Sequence, residues 1–176
     1  MTALFEIGPA DVADTSDDYY TPHWIFTAAG LVFDMDVAAP VNPSRRTCPA
    51  LRYLTPVEDG LSQPWEGAVW INPPYSNTEP WVHRWAAHPD GMMLVPDFPE
   101  VKWKGALLAA ADAMTLIAPH FLRADGVARG RPRWGCILAA RGRCVEALAR
   151  VASADRYIGG AYHVRPTYGK EKTYDD

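Results

Sequence analysis

A three-layer α/β sandwich around a mainly parallel sheet is the architecture this sequence predicts, and three observations predict it. Apolar runs of strand length alternate with helical patterns along most of the chain. Cap and turn residues mark most of the junctions between them. At 176 residues there is chain enough for one substantial core and too little for two.

Residues 1–18 read as an acidic, flexible arm and 19–176 as a single domain. The arm has no periodicity, and the first twenty residues hold five acids (Glu6, Asp11, Asp14, Asp17, Asp18) and no base. "TPHWIFTAAG" then offers Thr21 as N-cap, Pro22 at the first helical position and Gly30 as a stop, which predicts a short helix. "LVFDMDVAA" predicts a strand presenting Asp36 at its carboxyl end. The five prolines from Pro40 to Pro64 predict irregular chain with a short strand near Leu51–Leu54.

"GAVWI" predicts a buried strand that must end at Asn72, because Pro73 and Pro74 have no N–H to give to a ladder. "TEPWVHRWAAH" predicts a helix capped by Thr78, with Trp81 and Trp85 on one core-facing side. "GMMLVPD" predicts a strand, "VKWKGALLAAAD" a helix, "AMTLIAP" and "WGCILAA" two more strands, and "RCVEALARVA" a last helix. In an open sheet of this kind, ligands bind beyond the carboxyl ends of the strands. Asp36 and Asn72 both fall at such ends and are expected to face one crevice.

Composition excludes several classes. The chain is 48% hydrophobic and 22% charged, and no run approaches the roughly 20 apolar residues of a membrane span. An acidic start is the opposite of a signal or transit peptide, so the expected location is the cytoplasm. Cys48, Cys136 and Cys144 are too few and too scattered for a disulfide framework or a thiolate site and read as buried small hydrophobes. The five histidines show no metal-binding spacing, so no metal is assigned. The net charge is −4, yet Arg123–Arg143 carries six arginines (Arg123, Arg129, Arg131, Arg133, Arg141, Arg143) against one acid, Asp125. Such a run is either a solvated face or a phosphate-binding wall.

The most informative stretch is "AVWINPPYSN". An exocyclic amine conjugated to a heteroaromatic ring is a poor nucleophile until acceptors draw its nitrogen toward tetrahedral geometry. The side-chain oxygen of Asn72 and the main-chain carbonyl of Pro73 can each accept from such an amine, and the proline pair fixes where that carbonyl points. Preorganised acceptors stabilise the positive charge that grows on nitrogen as it attacks. Tyr75 offers a flat face for the base, worth about 1–3 kcal/mol by analogy with single-strand binders. The competing reading is a rigid turn after a strand.

"NPPY" after an apolar strand resembles the catalytic motif of amino-methyltransferases that use S-adenosylmethionine. "YYTPHWIF", "FDMDVAA", "YLTPVEDGLSQPWEGAVWINPPYS" and "GMMLVP" occur in the order seen in the small phage-type DNA N6-adenine methyltransferases, so the resemblance runs from Asp18 to Pro96. It implies a Rossmann-like methyltransferase fold and direct in-line transfer to the 6-amino group of a flipped adenine in DNA. It implies that Asn72, Pro73, Pro74 and Tyr75 form the catalytic loop. Tyr20, Thr21 and Pro22 match the segment beside the methionine end of S-adenosylmethionine. Asp36, with Ala38 and Ala39, matches the end of the cofactor-binding strand, and Asp59 an acidic position at the cofactor's adenine or ribose. "DVAAPVNP" lacks the glycine-rich turn of many methyltransferases, as the phage-type relatives also do.

DNA is the expected partner, with Arg129, Arg131 and Arg133 as the phosphate-contacting residues and Arg84, Lys102 and Lys104 extending the same face. A phage origin would place the protein in the cytoplasm of a bacterial host. The same loop could serve the 4-amino group of cytosine or a protein glutamine amide. A degenerate fold retained as a nucleic-acid-binding module is the non-enzymatic alternative.

Overall fold

The computed structural model describes residues 17, 19–123, 126–128 and 135–154, and the backbone of 162–164. In chain order the elements are α1 (His23–Ala29), β1 (Phe33–Asp36), β2 (Ala50–Tyr53), β3 (Val69–Ile71), α2 (Glu79–Ala87), β4 (Gly91–Pro96), α3 (Trp103–Ala110), β5 (Ala113–Ile117), β6 (Cys136–Arg141), α4 (Val145–Ala154) and β7 (Tyr162–Val164). Single 3-10 turns occur at Pro43–Arg45, Tyr75–Asn77 and Gly142–Cys144.

The strands form one sheet in the order β2-β1-β3-β4-β6-β5-β7. β2, β1, β3 and β4 are mutually parallel. β6 runs against both β4 and β5, and β7 against β5, so five strands point one way and two the other. The fold is therefore mixed α/β with a mostly parallel sheet. β5 and β6 depart from the expectation by pairing as neighbours in an antiparallel hairpin, which needs no crossover helix between them. β7 has no counterpart among the elements expected from the sequence.

Alternating strand residues feed two cores. Trp70, Met92, Leu94 and Leu138 join Ile25 and Phe26 of α1 and Leu148 and Val151 of α4. Val69, Ile71, Met93 and Val95 join Trp81 and Trp85 of α2 and Trp103 and Leu107 of α3. Successive residues of β4 thus serve opposite faces of the sheet, as the period of two demands. Trp85 and Trp70 are among the largest fully buried side chains. Burying an apolar side chain of large size stabilises by about 1.5–3 kcal/mol. Cys48, Cys136 and Cys144 are all free and buried, in line with their reading as small hydrophobes.

One cap position and one capping bond are corrected. α1 is preceded by Pro22 as N-cap, one residue later than expected, and Thr21 is buried at 3% exposure instead. Gly30 ends α1 as predicted, in the left-handed region at φ 56°. Thr78 holds the N-cap position of α2 as expected, but its side chain makes no capping hydrogen bond, because the 3-10 turn before it runs straight into the helix. Its hydroxyl points back to the Pro74 and Tyr75 carbonyls at 3.5 Å. Among the described residues no helix is long and apolar enough to cross a membrane.

Gly60 is required by close approach. A β-carbon there would be driven into the Val37 carbonyl oxygen and would crowd the Trp81 ring at 3.1 Å. Gly60→Ala is expected to lower stability by about 1–3 kcal/mol, as overpacking does, measured as a shift in the urea midpoint at constant m-value.

Candidate functional site

β1 turns to one side into β2, whereas β3 lies on its other side, so the strand order changes direction between β1 and β3. Their carboxyl ends flank the crevice where open α/β sheets take ligands. Asp36 pairs in register with Trp70, and Asn72 follows Ile71 at the end of β3. The two residues that the sequence assigned to one crevice therefore sit on adjacent strands at the same rim.

The Asn72 carboxamide is held at one end only. Its Nδ2 donates to the Tyr19 main-chain carbonyl at 2.7 Å. Its Oδ1 is buried and has no hydrogen-bond partner. An unpaired buried acceptor costs about 1–3 kcal/mol, so such a group in a native fold calls for an explanation. The Pro73 carbonyl also accepts nothing from the described residues, and the extended Pro74 (φ −59°, ψ 126°) carries the Ser76 N–H away from it and onto Asp17 at 2.9 Å. Neither the Asn72 Oδ1 nor the Pro73 carbonyl is thus occupied by a donor from the described residues.

Tyr75 lies against Tyr19, with ring centroids 5.4 Å apart and planes inclined by 27°. Phe121 meets both rings, tilted to Tyr19 at 5.1 Å and edge-on to Tyr75 at 6.1 Å. Burial, together with the Cys136 thiol 3.9 Å from its hydroxyl, holds the Tyr75 phenol well above its ordinary pKa. It remains a neutral ring at physiological pH, suited to stacking and unsuited to acting as a base.

Asp36 is 4% exposed. Burial pushes its carboxyl up to about 7, against the opposing pull of the Ala38 N–H at 3.3 Å and the charge of Arg46. A carboxylate so weakly compensated is poised to gain from a cationic or hydrogen-bond-donating ligand. Ala38 is half-buried and Ala39 buried, with the Ala39 N–H on the Leu54 carbonyl at 2.9 Å.

Asp59 is exposed, with φ 55°, and its Oδ1 accepts from the Leu61 N–H at 3.2 Å, the bonding of a turn residue. The adjacent Gly60 packs that turn onto Val37, immediately after Asp36. Pro22 is buried beside Thr21, while the Tyr20 hydroxyl accepts from Arg45 at 3.3 Å.

The arginine run divides. Arg141 donates to the Trp85, Ala86 and His88 carbonyls and so closes the carboxyl end of α2. Arg143 bridges Asp34 and Asp90. Both lie at the end of the sheet opposite Asn72, since Arg141 pairs with Gly91 at the start of β4. Arg84, expected to extend the basic face, donates to the Leu61 and Gln63 carbonyls and lies over Trp65. Lys104 pairs with Asp97 at 2.7 Å, and Lys102 is exposed.

By contrast, the chain between Ile117 and Cys136 leaves and rejoins the sheet beside Pro96, at the same rim as Asn72. Arg129, Arg131 and Arg133 belong to that stretch and lie outside the described residues. Among the described residues no cluster of His, Cys, Asp or Glu could hold a metal.

Sequence reasoning missed Tyr19, Asp17, Ser76 and Phe121. A hint was present in the Tyr19-Tyr20 pair just before Thr21-Pro22. Nothing periodic marks Phe121, whose ring is fully buried among the site's aromatics.

A family profile described as DNA N-6-adenine-methyltransferase (Dam) matches residues 10–143. The DNA N-6-adenine-methyltransferase of Haemophilus phage HP1 (strain HP1c1) is 34% identical over 73 residues, which cover 39% of this chain and 40% of that protein. The match thus spans less than half of the relative's length. No solved structure matches the chain.

Because the folded state holds a proton on Asp36 that the unfolded chain releases, stability is expected to fall as pH rises from about 4 through about 7 and then to level off. Asp36→Asn should remove that slope. Urea midpoints of both proteins across this range check it, and parallel curves would return the carboxyl to an ordinary titration.

Proposed function

The chain belongs to the DNA N-6-adenine-methyltransferase (Dam) family, and from that premise we propose that it moves a methyl group from S-adenosylmethionine to the 6-amino group of adenine in DNA. The observation that carries this reading is the buried, unpartnered Oδ1 of Asn72 at the ligand-binding end of the sheet. A family name points to an activity; this oxygen supplies the chemistry that the activity needs.

S-adenosylmethionine supplies a methyl group on a sulfonium, which makes that carbon electrophilic. The residues here fit such a cofactor. Asp36 is a buried carboxyl with one hydrogen bond, at the strand end that flanks the crevice. Tyr20, Thr21, Pro22, Ala38, Ala39 and Asp59 would complete the holding set, Asp59 on a turn that Gly60 fastens to the exit of β1. We read the helices, with their separate cores, as the outer layers of a three-layer, Rossmann-like methyltransferase sandwich.

An adenine stacked in a duplex cannot reach Asn72, so the base must turn out of the helix, at a cost of a few kcal/mol. The Asn72 Oδ1 and the Pro73 carbonyl then accept one hydrogen bond each from the amino group. These bonds draw the nitrogen lone pair out of conjugation and favour the charge that develops on it. Pro74 fixes the loop that carries both acceptors, and the neutral Tyr75 ring supports the face of the base. After transfer, the methylated amine is a strong acid and loses its extra proton to water. No covalent enzyme nucleophile is involved. Arg129, Arg131 and Arg133 would grip the phosphates beside the flipped nucleotide, on a stretch whose two ends are anchored at this rim.

Incubation with methyl-labelled cofactor and separate DNA, RNA and protein acceptors, followed by digestion, should give N6-methyladenine from DNA. Label in cytosine or in a glutamine side chain would replace the reading by one of its mechanistic relatives. Asn72→Ala is expected to abolish transfer while leaving cofactor affinity within about twofold, as for an interaction made only with the reacting amine. In a salt titration of DNA binding, replacing two of Arg129, Arg131 and Arg133 by alanine should flatten the slope by about 0.9 for each phosphate that is no longer neutralised.

A further inference from the structure

We propose that the segment Asp17–Tyr20 is a clamp that sets the catalytic loop, with Asp17 and Tyr19 as its positioning residues; this rests on the methyltransferase reading above. The clamp touches the loop at both of its ends. At one end, the Tyr19 carbonyl takes the Asn72 Nδ2 proton at 2.7 Å. At the other, the Asp17 carboxylate accepts from the Ser76 N–H at 2.9 Å and from the Ser76 hydroxyl at 2.6 Å. Between them the Tyr19 ring backs the Tyr75 ring. The clamp is itself tied down beyond the loop, because Tyr20 and Leu122 exchange main-chain hydrogen bonds of 3.2 and 2.9 Å.

The chemistry explains why these contacts matter. A carboxamide has a donor end and an acceptor end of nearly the same shape, and its surroundings decide which points where. A main-chain carbonyl can only accept, so it selects the amino end of Asn72 and turns Oδ1 away from itself. Asp17 fixes the far end of the same loop, since its carboxylate takes both the Ser76 N–H and the Ser76 hydroxyl. The clamp therefore keeps the Asn72 Oδ1 directed and unoccupied and holds the loop that carries it at both ends. It also makes the position specific for an amide, because a carboxylate at 72 would set an oxygen against the Tyr19 carbonyl.

Misplacing a reacting group by about 1 Å costs about 100-fold in rate. Asp17→Ala and Tyr19→Ala are accordingly expected to lower kcat about 10- to 100-fold, with KM for cofactor and for DNA changed by no more than about twofold. Tyr19→Phe, which keeps the ring and the carbonyl, should recover most of the rate. A second readout needs no catalysis: in protein labelled with ¹⁵N-asparagine, one Asn72 side-chain proton should exchange slowly, and Asp17→Ala should speed it about tenfold as the clamp loosens. Thermal unfolding of each variant reports on the fold separately.

Unchanged Asn72 proton exchange in Asp17→Ala, an effect confined to KM for DNA, or a Tyr19→Phe rate as low as that of Tyr19→Ala would each overturn the clamp. If the unaltered protein methylates no adenine, the functional reading falls alone, and the exchange measurement still decides whether the clamp exists.

Discussion

One hydrogen bond organises the site, that between the Asn72 side-chain nitrogen and the Tyr19 carbonyl. It satisfies half of a buried polar group and leaves the other half open to whatever enters. Folding alone would favour pairing both halves or replacing the residue by an apolar one. An Oδ1 left unmatched at the carboxyl end of a strand is the observation on which the proposed chemistry of this corner rests.

The rest of the molecule holds that corner still. β3 has only three residues, all buried, and is gripped on both sides by parallel neighbours. Phe26 and Phe33 close around Trp70 on one face of the sheet, with ring centroids 4.8 and 5.6 Å away. Trp65 and Trp81 stack on the side where α2 packs, at 6.3 Å. Asp36 is the second unsettled group of the rim, a carboxyl kept short of partners by burial. Two under-satisfied polar residues on adjacent strand ends are a joint cost to the fold that a shared ligand would relieve, which is how binding sites trade stability for function.

Much of this was legible in the sequence because the signals were local. Proline after Asn72 ends a strand in any context, Gly30 ends a helix by taking a left-handed conformation, and alternating apolar patterns set the order of the elements. The candidate loop could be singled out because the chemistry proposed for it sits in four consecutive residues. What escaped was decided by contacts distant along the chain. Thr21 falls one residue before the cap of α1, and Thr78 holds the cap position of α2 without a capping hydrogen bond, because burial of one and a preceding 3-10 turn at the other displaced the local preference. The antiparallel course of β6 has no signature in its own apolar run, and neither does the route that brings Phe121 to Tyr75. Charge density along the chain does not by itself define one face, since Arg141 and Arg143 are spent on helix carbonyls and on Asp34 and Asp90, whereas Arg129, Arg131 and Arg133 lie outside the described residues.

The β5–β6 hairpin has a further implication. Its two strands are locked residue against residue from Ala113 opposite Ala140 to Ile117 opposite Cys136, and shortly after β5 Phe121 and Leu122 pack back onto Tyr19, Tyr75 and Tyr20 at the rim. Chain inserted or exchanged between Ala128 and Cys136 falls outside both the β5–β6 pairs and the bridges at Leu122, so the pairing below is indifferent to its length. The hairpin behaves as a socket whose base, Phe121 and Leu122, belongs to the rim itself, so that only the tip beyond that base could be exchanged without disturbing Tyr19 and Tyr75.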